Sequence, residues 1–121
     1  MIGKSLLVTL FFITSAHAGL EAEIAQQKAT EDYLEAELEA QKELAKQAYQ
    51  DVFELASTST LHRDEQLGRL EDAYKIWDEF IEKICRAEVL ESIRTRAEST
   101  DRLTCMVKRF KEKELFFKSI I

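Results

Sequence analysis

The stretch from Leu70 to Cys85, LEDAYKIWDEFIEKIC, constrains the fold of this chain more than any other. Leu70, Ala73, Tyr74, Trp77, Phe80, Ile81, Ile84 and Cys85 recur at i, i+3, i+4 and i+7, which places them on one face of an α-helix that has to be buried. That face carries the only tryptophan, with an aromatic residue one turn later. Such rings are a large apolar payload, so the other elements are expected to pack on Trp77, Phe80 and Ile84.

A second periodic pattern precedes it. Leu20, Ile24, Gln27, Glu31, Leu34, Leu38, Gln41, Ala45, Ala48, Val52 and Leu55 follow alternating steps of four and three, a heptad seam broken by polar residues at Gln27, Glu31 and Gln41. A seam of this kind serves a coiled-coil dimer or a long helix of an intramolecular bundle. Leu44, Tyr49 and Phe53 widen the stripe beyond two positions per heptad, which favours the bundle. Its early part, where the breaks cluster, is expected to protrude or fray while the later part packs.

The punctuation agrees. Ser57 to Thr60 form a turn signal, so the first helix should end near Ala56, with Thr60 capping the next helix ahead of Asp64 and Glu65. A third helix beginning near Ser99 or Thr100 would bury Leu103, Met106, Val107, Phe110 and Phe117. The chain has no proline and three glycines, and no stretch alternates with period two. An all-α fold follows: a small antiparallel bundle of about three helices.

The amino terminus reads as a secretory signal peptide. Lys4 is followed by an apolar run from Leu6 to Ile13 and by Ala16-His17-Ala18, a small-x-small site with cleavage expected after Ala18. The run is shorter than the ~20 residues that span a bilayer. A periplasmic or secreted product of residues 19–121 is therefore expected, a single domain with no membrane attachment after cleavage. In an oxidising compartment Cys85 and Cys105 form a disulfide, and the turn between antiparallel helices carrying them centres near Thr95. They are not a C-x-x-C pair, which argues against a redox role.

Charge narrows the partners. Without Lys4, sixteen bases face 23 acids, a net charge of −7. The imbalance is uneven: ten acids and three bases in residues 19–56, against three acids and six bases in residues 99–121. The two segments are expected to be neighbours, the alternative being a separate acidic docking surface. An acidic exported domain is a poor nucleic-acid ligand and a reasonable one for a cationic protein. His62 has no second histidine or cysteine nearby, so it reads as a loop residue rather than a metal ligand. Without a nucleophile elbow, a metal-ligand cluster or a phosphate loop, the sequence gives no ground for an enzyme or a bound cofactor.

The run Leu70, Ala73, Trp77, Phe80 and Cys85, followed by Cys105, resembles the LprI-like lysozyme inhibitor family, with Tyr49 matching a tyrosine of the preceding helix. The resemblance covers roughly residues 30–117. It departs from the family pattern at Tyr74, Ile81 and Glu82 and lacks the family's additional amino-terminal cysteines. It implies an exported helical domain that binds a lysozyme-type muramidase and blocks it, and it assigns no inhibitory contact to a residue. On charge, candidate contacts are Arg94 and Arg96 in the turn from Ile93, His62 and Arg63 in the loop from Ser57, and the acids Glu31, Glu35 and Glu39, which would steer a cationic enzyme. The alternative is a periplasmic scaffold or chaperone-like protein that forms homo-oligomers through the heptad seam.

Overall fold

The computed structural model describes the backbone of residues 2–120 and the side chains of residues 18–120. The signal-peptide reading of residues 1–18 rests, apart from Ala18, on side chains outside the described set. The described residues form three α-helices, α1 (Ile2–Ser57), α2 (Arg63–Glu88) and α3 (Ala97–Ile120), with a short 3-10 turn at Leu90–Ser92 between the last two. They run up, down and up, so α1 and α3 are parallel neighbours and α2 lies antiparallel to both.

The heptad seam of α1 explains this arrangement. Leu38, Gln41, Ala45, Ala48 and Val52 are buried and Leu34 is half-buried, all within the chain. Their counterpart is on α3, where Leu103, Met106, Phe110, Lys113 and Phe117 repeat the same steps of three and four. The small side chains Ala45 and Ala48, 0% and 2% exposed, let the two backbones approach closely. Aromatic rings fill the space under α2: Tyr74 stacks on Tyr49 at 4.2 Å, and Phe117 meets Tyr49 edge-on at 5.3 Å.

Two apolar clusters result. One joins Leu38, Ala45, Ile81, Cys85, Leu103 and Phe110, and the other joins Ala48, Val52 and Phe117. Trp77 packs against both although it is only half-buried. We expect Trp77→Ala to cost about 2–3 kcal/mol, less than for a fully enclosed tryptophan, read from the shift of the urea midpoint.

Several expectations need correction. Phe80 is 46% exposed and so lies outside the core. The buried line of α2 passes through Ile81 and Cys85, and Phe80 sits ~100° around the helix from Ile81, where it only flanks Trp77 edge-on at 5.9 Å. Ile84 is half-buried against the first cluster. Leu44 and Leu55 are 51% and 57% exposed, because the two partner helices cover a narrower stripe than the sequence pattern offers. The cap of α2 is His62, in the left-handed region at φ 56° with no side-chain bond, rather than Thr60. The third helix starts at Ala97, ahead of Ser99 and Thr100.

The polar breaks in the seam have partners. Gln41 donates to the Glu114 carboxylate at 2.9 Å, and Lys118 donates to the same group at 2.7 Å. Lys113, 2% exposed, reaches Asp78 at 2.8 Å and lies 3.8 Å from the centre of the Tyr74 ring. The hydrogen bond from Lys118, followed by that from Gln41, lowers the pKa of Glu114 despite its burial. A carboxyl depressed in the folded state stabilises the fold above its unfolded pKa of ~4.3, and that contribution is lost as pH falls through the folded value. Glu114→Gln should therefore flatten the stability–pH curve on the acid side of about pH 4, measured by melting temperature across pH 2–6.

Candidate functional site

The sharpest local feature is the connection from α2 to α3, around the predicted turn at Thr95. It contains neither glycine nor proline and is built instead from three successive reverse turns. Ser92 N–H donates to the Val89 carbonyl at 3.1 Å, Thr95 N–H to Ser92 at 2.9 Å, and Glu98 N–H to Thr95 at 3.3 Å. The Ser92 and Thr95 hydroxyls double the first two bonds, donating to the same carbonyls at 3.1 and 2.6 Å. Short hydroxyl side chains at this spacing therefore supply the turn chemistry usually read from glycine. Arg94 adopts a left-handed φ of 63°, and its N–H donates to the Glu98 carboxylate at 2.8 Å.

The turn is anchored on both sides. The Cys85–Cys105 disulfide ties α2 to α3 with a Cα–Cα distance of 5.6 Å and encloses the turn. Next to it, Arg109 joins Glu88 and Glu112, and these hydrogen bonds, that of Glu88 first, hold the guanidinium pKa above its ordinary value. From α1, the Gln27 side chain donates to the Arg96 carbonyl, and Arg96 lies 3.5 Å from Glu23. The polar break at Gln27 thus docks the turn onto α1. On the stretch of α1 just before Gln27, Leu20 and Ile24 are 40% and 53% exposed.

What remains at the tip is an exposed apolar pair, Leu90 and Ile93, beside Arg94 and Arg96. Behind it lies an open cleft of about 520 Å³ bordered by Gln27, Arg86, Val89, Ile93, Arg96 and Arg102. No family model, curated protein or solved structure matches this chain. The tip is therefore read from its own chemistry.

The other candidate residues fall elsewhere. His62 and Arg63 open α2 at the opposite end of the bundle, where Arg63 lies 3.6 Å from Asp64, so the two loops do not converge. Glu31, Glu35 and Glu39 form a stripe along α1 that starts near the tip. Glu31 is half-buried and accepts from Gln27 at 3.2 Å, Glu35 is exposed, and Glu39 sits 3.6 Å from Lys42. Among the described residues no group of three or more His, Cys, Asp or Glu could hold a metal ion. Arg86 and Arg102 were not candidates from sequence. Their signal was position: each lies within three residues of a bridged cysteine.

Proposed function

We propose that the chain is an exported, LprI-like inhibitor that binds a lysozyme-type muramidase through the α2–α3 tip and blocks its activity. The observation that carries this reading is the tip itself: apolar and arginine side chains presented together on a turn held by hydroxyl bonds, a disulfide and α1. Arginine beside buried apolar area is the composition of binding hot spots, and a rigid turn loses little entropy on docking. Glycoside hydrolases work through a pair of carboxyl groups flanking the scissile bond, a natural receptor for a guanidinium. The acids of α1 and the charge of −7 without Lys4 would speed encounter with a cationic enzyme. On this reading the protein is a binder without a cofactor, and it acts in the periplasm or outside the cell.

A muramidase panel assayed with the purified protein tests the proposal. Arg94→Gly removes one guanidinium while suiting the left-handed backbone, so inhibition should weaken by about tenfold at an unchanged melting temperature. Arg96→Glu should weaken it further, and His62→Ala should leave it unchanged. No inhibition of any panel member at micromolar concentration would end this reading. The scaffold alternative draws on Leu20 and Ile24, seam residues that no helix covers, and a monomeric mass by light scattering would end that one.

A further inference from the structure

We propose that the cleft behind the α2–α3 turn binds a doubly charged phosphate group, a reading that does not rest on muramidase inhibition although Arg96 takes part in both. Three arginines from three parts of the chain line this cleft of about 520 Å³: Arg86 from α2, Arg96 from the turn and Arg102 from α3, which also lines the neighbouring cleft with Asp78 and Glu82. Among the described residues Arg102 has no carboxylate partner. Arg86 and Arg96 do have partners, Glu82 at 2.9 Å and Glu23 at 3.5 Å, but these pairs are more than half exposed. Exposed pairs contribute little, so both side chains can turn to a ligand at small cost. Besides the Glu82 and Glu23 partners just named, Glu98 is the one acid among the described residues that line the cleft, and its carboxylate is already engaged by the Arg94 N–H.

The concentration of positive charge does not follow from composition. The chain carries a net charge of −6, which repels anions at long range, so a basic cleft has to arise from local placement. Placement here follows from the bridge: Arg86 adjoins Cys85, and Arg102 lies three residues before Cys105. Guanidinium forks match the oxygens of a tetrahedral phosphate, and three of them balance a dianion better than a carboxylate of single charge. The Ser99 hydroxyl on the same rim adds a neutral donor.

The test is a titration of the isotope-labelled protein with inorganic phosphate, followed by backbone amide shifts at constant ionic strength. Saturable shifts in the millimolar range, centred on Arg86, Ile93, Ser99 and Arg102, are expected. Arg102→Gln, an exposed substitution by a good helix former, should weaken them at least about tenfold with the circular dichroism unchanged. Arg69→Gln, at the far end of α2, should have no effect. Two further arms find the source of the phosphate: equal affinity for glycerol phosphate supports a soluble ligand, and tighter binding to phosphatidic-acid vesicles supports a lipid headgroup. Absence of saturable shifts with all three probes, or shifts that persist in Arg102→Gln, would overturn the proposal.

Discussion

Replacing Cys85 with serine should lower stability by about 3 kcal/mol and the melting temperature by more than ~10 °C. The bridge spans twenty residues of sequence and Cys85 is 0% exposed. Opening it therefore frees a long loop in the unfolded chain and leaves a buried hydroxyl to find a partner. The same loop contains Leu90, Ile93, Arg94 and Arg96, so the inhibitory activity proposed for the tip should fall with it, faster than the loss of helix. Thermal melts with and without reductant, beside melts of Cys85→Ser and Cys105→Ser, measure the effect. A change below about 5 °C would show that packing alone holds the turn.

Phe117→Ala should cost about 3–5 kcal/mol, whereas Phe116→Ala should cost only ~1 kcal/mol. Phe117 is 0% exposed, touches Tyr49 and Tyr74, and closes the second apolar cluster with Ala48 and Val52. Phe116, next to it in sequence, is 40% exposed and leans on Trp77 from the side at 5.6 Å. Urea denaturation of the two variants separates them. Equal midpoints would mean that α3 is rotated relative to the register described above.

Much of the fold was legible because the chain punctuates itself. The Ser57–Thr60 cluster marks the end of α1 to within a residue of the observed Ser57. The cysteine spacing places the second turn on residues that do connect α2 to α3, and Phe110 and Phe117 are buried as the periodicity of α3 requires. Phe80 departs from the pattern because helical spacing defines a wide arc, while the width actually covered depends on how far the neighbouring helices reach. The grouping of Arg86 and Arg102 is invisible in the sequence for a related reason. Each looks like an ordinary surface cation on its own helix, and only the crossing of three elements brings them to one cleft with Arg96.

The sequence by itself determined the helices, their order and the disulfide staple, since periodicity, turn residues and cysteine pairing are local or nearly local properties. Tertiary structure alone decided that the seam of α1 is satisfied by α3 running parallel to it. A heptad pattern specifies a partner's surface but not which chain provides it, and here the short connections and the Cys85–Cys105 bridge hold α3 beside α1. Tertiary structure also decided which arginines share a cleft, because the distance between side chains on different helices is set by helix packing and not by their separation along the chain.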